Sequence, residues 1–205
     1  MPEKKNLDFE AGIKIEEINY SFAEHLEKKI SELPENYTIM LLVDANEYND
    51  IILGLVKKFV STDKAKGVYL TANKQSSLLE HLFLKEFKNF DSKKTYFLDC
   101  VSKELAKELD NAMVCNPQNL IDLNISINQA FEVIPAGGFF VMDSISTLAI
   151  YNDERVLKKF VKSVVEKCYA RKINGIFLCN NTKNMKELID DISPFFDETM
   201  DAQRL

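Results

Sequence analysis

Tryptophan is absent from the 205-residue chain, and only 2 His, 4 Cys, 5 Pro and 6 Gly occur. With no C-x-x-C spacing, and with His25 and His81 both inside helical patterns, a zinc site lacks ligands. The scarcity of Gly and Pro excludes collagen-like and low-complexity chains. No apolar run approaches the ~18 residues that a membrane span needs. Met1 to Glu10 is polar, without the basic start and apolar run of a signal peptide. These absences point to a cytoplasmic protein in which Cys100, Cys115, Cys168 and Cys179 are free core thiols in a reducing compartment.

An excess of positive charge is also missing. Against 32 Asp and Glu stand 26 Lys and Arg, giving a net charge of −6. The average field repels nucleic acid and anionic lipid, whose binding needs clustered Lys and Arg. The pairs Lys4-Lys5, Lys57-Lys58, Lys93-Lys94 and Lys158-Lys159 have acids nearby and read as solvated helix faces or loops. The partners expected are a protein or further copies of the chain, with no nucleic acid and no membrane.

What is present is enough apolar residue, 46% of the chain, to build one substantial core. Ile15, Ile18, Phe22, Leu26 and Ile30 recur at helical steps and end before Pro34, so residues 1–36 read as an N-terminal helical extension. Residues 37–205 then alternate strand and helix. Strands are expected at Tyr37–Val43, Gly67–Thr71, Thr95–Leu98, Ala112–Cys115, Gly138–Met142 and Gly175–Cys179, with an edge strand near Phe196–Met200. Helices are expected through Ile51–Val60, after a capping box of Ser77 and Glu80, at Lys103–Leu109, at Leu120–Ile134, after an Asp153 cap, and at Lys183–Ile192. Such alternation implies right-handed crossovers and a three-layer α/β fold, a mostly parallel sheet with helices on both faces.

In an open parallel sheet, ligands bind beyond the carboxyl ends of the strands. That edge carries Asp44 and Asn46, Asn73, Asp99, Asn116, Asp143 with Ser144, and Asn180 with Asn181. Neither histidine lies in a strand-end loop near Ser144 or Ser146, and no G-x-S-x-G elbow occurs, so a hydrolase triad is not expected. The run Phe139-Phe140-Val141-Met142-Asp143-Ser144-Ile145-Ser146-Thr147-Leu148 is an apolar strand ending in Asp, followed by Tyr151-Asn152-Asp153 and a long helix through Lys159-Phe160-Val161. It resembles the Walker B segment of the KaiC-like, largely archaeal branch of the RecA-type ATPases. Gly67-Val68-Tyr69-Leu70-Thr71 is similar to that family's second core strand. The resemblance spans about Tyr37 to Met200 and implies a RecA-like core, ATP with magnesium as cofactor, and ring or filament assembly, in the manner of signalling proteins of this class.

The catalytic parts of that family are not evident. A phosphate loop reads G-x-x-x-x-G-K-[ST], its glycines letting backbone N–H groups cradle phosphate. Here the place is filled by Asp44-Ala45-Asn46-Glu47-Tyr48-Asn49-Asp50-Ile51, with no glycine, Asp50 in the Lys position and Ile51 in place of the hydroxyl. After the second strand, where the family tends to carry acids, stand Ala72 and Asn73. The expectation is a non-catalytic pseudo-ATPase without cofactor or metal, acting as a protein-interaction or regulatory module. Asp143 is then kept for capping or for a hydrogen bond to the first loop. The alternatives are a divergent nucleotide binder, and an acidic rim of Asp44, Asp50, Asp99 and Asp143 holding a divalent cation, with Asp143 its foremost ligand.

Overall fold

The computed structural model describes residues 20–60, 66–102 and 110–204. The helix expected over Lys103–Leu109, and the first residues of the one expected over Ile15–Ile30, lie outside them. Helices α1 (Tyr20–Ser31), α2 (Tyr48–Val60), α3 (Ser76–Glu86), α4 (Leu120–Glu132), α5 (Ile145–Tyr151), α6 (Glu154–Arg171) and α7 (Lys186–Ile192) alternate with strands. The strands are β1 (Thr38–Val43), β2 (Gly67–Thr71), β3 (Thr95–Asp99), β4 (Ala112–Val114), β5 (Phe139–Asp143), β6 (Asn174–Asn180) and β7 (Glu198–Asp201).

Among the described residues these seven strands form one sheet of order β4-β3-β2-β5-β6-β1-β7, with every pairing parallel. Central strands buried on both faces must be apolar throughout. That is why β2 and β5, GVYLT and FFVMD, are buried at every position. Gly67 is required where the Phe139 ring crosses β2: a Cβ there would stand 2.4 Å from that ring, which stacks on Phe59 at 3.9 Å between centroids.

Helices cover both faces. Leu26 and Ile30 of α1, the apolar side of α2, and Leu79 and Phe83 of α3 belong to one cluster. The apolar residues of α4, α5, α6 and α7 belong to the other, where Phe196 also packs. The helix read at the N-terminus therefore joins the core through α2. Asp153 caps α6 as expected, accepting from the backbone N–H of Arg155 and Val156. The α3 cap is a correction. That helix starts one residue before Ser77, with Gln75 at the cap making no side-chain bond, so no Ser77–Glu80 box forms. Its start is held instead by Ser76, bound to an aspartate 23 positions away.

The strand order locates the crevices. The chain leaves β2 through α3 toward one face and leaves β5 through α5 and α6 toward the other, although β2 and β5 are neighbours. Adjacent strands whose connections part in this way open a gap beyond their carboxyl ends, where ligands of doubly wound sheets bind. β1 and β6 form a second such pair, through α2 and α7.

Candidate functional site

Thr71 stands level with Asp99 on β3 and with Asp143 on β5. Two residues back, Tyr69, Phe97 and Val141 pack beneath α1, α2 and α3. Side chains alternate along a strand, so Thr71, Asp99 and Asp143 point toward that same face, where α2 and α3 begin. All three are 0% exposed. A buried carboxylate must find donors or a proton, and the two aspartates find different ones.

Asp143 accepts at Oδ2 from the Tyr48 hydroxyl, at 2.5 Å, and from the Tyr69 hydroxyl, at 3.0 Å. Its Oδ1 accepts from Asn73 Nδ2 at 2.6 Å. Burial pushes its carboxyl above the ordinary value, while the two phenols, Asn73 and the ammonium of Lys74 oppose the rise. Burial, then Asp143, likewise drives both phenols far above the usual range. Lys74 lies half-buried over the Tyr48 ring, 5.2 Å from its centroid, and donates to Asn49 Oδ1 at 2.6 Å. Burial lowers its pKa and the Asp143 charge draws it back up.

The Asp143–Ser144 peptide is cis. Ser144 caps α5, its Oγ accepting from the Thr147 N–H at 3.3 Å. Thr147 Oγ1 reaches Asn73 Oδ1, which closes a ring of contacts over the β2/β5 gap. Asp99 faces the neighbouring loop. Its carboxylate accepts from the N–H and hydroxyl of Ser76, from the N–H of Val101, and from the N–H and hydroxyl of Ser102. Burial pushes that carboxyl up, yet these bonds prevail and hold it below the ordinary range.

Only four residues, Asp44 to Glu47, separate β1 from α2. The Glu47 N–H bonds to the Asp44 carbonyl at 3.1 Å and the Ile51 N–H to the Glu47 carbonyl at 3.0 Å. Tyr48, Asn49, Asp50 and Ile51 already belong to α2. Burial raises the Glu47 carboxyl, and Asp44, Asp201 and Asp50 raise it further. Its Oε2 is shielded without a hydrogen-bond partner. Asp44 accepts from the Gln203 amide, and Ala45 and Asn46 are exposed.

The expected rim therefore divides. Asn73 joins Asp143, whereas Asp99 serves the start of α3. Asn116 accepts from the Gln118 N–H ahead of α4, and the Asn180 N–H donates to Ser146 Oγ at 2.6 Å. The acidic rim is corrected: Asp99 and Asp143 are each taken up by separate donors, and among the described residues no three His, Cys, Asp or Glu gather to hold a metal. Sequence reasoning passed over Tyr69, Lys74 and Thr147. For Tyr69 a signal existed, since it lies two residues before Thr71 and so shares its face.

No family model matches the chain, and no curated protein matches it. Solved structures do. One is a KaiC-like protein of the hyperthermophilic archaeon Pyrococcus horikoshii OT3, matched over 72% of this chain at 16% identity with a TM-score of 0.55. This chain spans 64% of that protein's length. A second protein of Pyrococcus horikoshii OT3 matches over 86% of both chains, at 9% identity and a TM-score of 0.58. With its parallel seven-stranded sheet between two helical layers, the chain has a three-layer RecA-like α/β fold, like that of a KaiC-like protein.

Proposed function

We propose that this chain is a non-catalytic RecA-like module, a pseudo-ATPase that works by binding a protein partner or further copies of itself in a regulatory assembly. The observation that carries the reading is the state of Asp143. Where the resembled family would present a carboxylate to magnesium, both oxygens here are engaged by Tyr48, Tyr69 and Asn73. The first loop adds to this, since a triphosphate there would meet Asp44, Glu47 and Asp50. At an effective dielectric of ~20, each like-charge contact near ~4 Å costs about 4 kcal/mol before screening. Exposed apolar residues support a protein partner: Ile121 on α4 is 75% exposed and Ile150 on α5 is 77% exposed. Asn152, just after α5, bonds to the Pro117 carbonyl ahead of α4, so the two lie at one end of the same face.

A divergent nucleotide binder is the second reading. What favours it is Lys74, an ammonium held beside Asp143 at the β2/β5 gap. A melting series with ATP and GTP, each with magnesium or calcium, decides between them, beside a light-scattering mass. Saturation at 100 times Kd would stabilise by about 2.7 kcal/mol, roughly 5–10 °C for a chain of this size. No nucleotide-dependent change is expected, with a mass above that of one chain or a stable complex with a partner. An ATP-dependent rise of that size would overturn the pseudo-ATPase reading.

A further inference from the structure

Two of the four cysteines are set side by side by the sheet. β3 and β4 pair in parallel with Leu98 opposite Met113 and Asp99 opposite Val114. The Cys115 N–H donates to the Asp99 carbonyl at 2.8 Å, which carries the ladder one residue further and brings Cys100 opposite Cys115. Leu98, Cys100 and Cys115 share one apolar cluster, with Met113 packed against it, so both thiols point to the same face. Adjacent strands lie about 4.7–4.9 Å apart, inside the Cα separation of about 4.4–6.8 Å that a disulfide accepts. Each thiol lies close enough to move the other's proton affinity. Each residue is 8% exposed and sits at the open end of its strand, next to Val101, which is 38% exposed.

Cys168 and Cys179 are more fully enclosed. Both are 0% exposed in the middle of the core. Burial drives the Cys168 thiol upward and the Cys179 thiol up to about 11.

We propose that Cys100 and Cys115 form a dithiol site that a low-molecular-weight disulfide of the glutathione class oxidises to an intrachain disulfide, fastening the edge strand β4 to β3. Cys115 is the attacking thiol. The neighbouring Cys100 thiol favours the Cys115 thiolate against the cost of burial, whereas Cys100 itself is pushed up. The Cys115 thiolate attacks one sulfur of oxidised glutathione, forming a mixed disulfide and expelling glutathione thiolate, which takes up a proton. Cys100 then loses its proton to solvent and attacks Cys115 Sγ. The Sγ–Sγ bond forms and the second glutathione leaves. Two protein thiols lose two hydrogens, and one glutathione disulfide becomes two thiols.

The consequence is local. Among the described residues, β4 has three residues and pairs on one side only. Closing the ring from residue 100 to residue 115 restricts the unfolded chain and raises the melting point by roughly 5–10 °C.

The test uses the reduced full chain, incubated with oxidised glutathione and then alkylated with iodoacetamide while folded. Peptide mass mapping should find the Cys100 and Cys115 peptides linked, lighter by two hydrogens, with Cys168 and Cys179 unlinked. The melting point should rise and return on reduction. The Cys100→Ser chain should stop at a glutathione adduct on Cys115, and because the linkage is read on the unaltered chain, a folding defect in this variant leaves the main result intact. An unaltered chain that keeps all four thiols, stops at the mixed disulfide, or links either cysteine to Cys168 or Cys179 would overturn the proposal.

Discussion

Asp99 and Asp143 flank the same strand at the same level, are both buried, and face the same helical layer, yet their carboxyls move in opposite directions. Burial acts on both. It weighs more on Asp143, which lies deeper, and the donors widen the difference. Asp99 is met by three backbone N–H groups and two serine hydroxyls, in a loop that wraps around it. Asp143 is met by two phenols and one amide from three other places in the chain. Between them Thr71 donates to the Lys74 carbonyl at 2.6 Å and accepts from its N–H at 3.2 Å, shaping the turn that presents Asn73 and Lys74 to Asp143 only. Thus one carboxylate builds a loop, and the other fastens separate elements across a gap where such folds bind ligands.

The largest effect should come from removing the loop builder. Asp99→Ala leaves the N–H groups of Ser76, Val101 and Ser102 without their acceptor, and backbone donors cannot rotate away. Since each lost buried bond to a charged acceptor is worth about 1.5–3 kcal/mol, the change should cost roughly 3–5 kcal/mol. Asp143→Ala should cost less, about 1–3 kcal/mol, because the Tyr48 and Asn73 side chains can turn toward water and a buried charge is also relieved. Urea midpoints at unchanged slope measure both. An equal or reversed order breaks the comparison.

The alternation that makes the fold was open to reading in the sequence, and so was Asp143 at a strand end. Apolar runs such as Phe139–Met142 need no distant information to be recognised as buried strands. The partners of Asp143 do need it. Tyr48 and Tyr69 lie 95 and 74 positions away, and they meet Asp143 only because β5 returns between β2 and β6. Ser77 with Glu80 matched the local pattern of a cap, but the tertiary bond from Ser76 to Asp99 sets where α3 starts. Cys100 and Cys115 carried a weak signal, since consecutive strands usually pair. Their register appears only once β3 and β4 are laid together.

A smaller change sharpens the contrast at the gap. Tyr48→Phe keeps the ring beneath Lys74 and removes the 2.5 Å hydroxyl contact. A bond to a charged acceptor of this kind should be worth about 1.5–2 kcal/mol. With one acceptor position vacated, Asp143 gains room for a cation, so magnesium should raise the melting point of Tyr48→Phe more than that of the unaltered chain. The role assigned to Tyr48 fails if Tyr48→Phe melts at the unaltered temperature and gains nothing from magnesium.

The smallest effect is in pH, and there the two aspartates should differ in sign. From the ordinary value of 3.8, Asp143 is raised on folding, so between 3.8 and its folded value the native chain binds more protons than the unfolded one. Stability from Asp143 is therefore complete below 3.8 and falls as pH climbs through that interval. Asp99 is lowered from 3.8, so its stabilisation is complete above 3.8 and is lost as pH drops through its folded value. One proton changes the slope by at most about 1.4 kcal/mol per pH unit. Above pH 3.8, Asp143→Asn should steepen the gain of stability with pH relative to the unaltered chain, whereas Asp99→Asn should flatten the acid limb below 3.8. Urea midpoints across the two ranges give both slopes. Two variants whose curves merely shift in parallel would mean that donor chemistry does not separate these carboxyls.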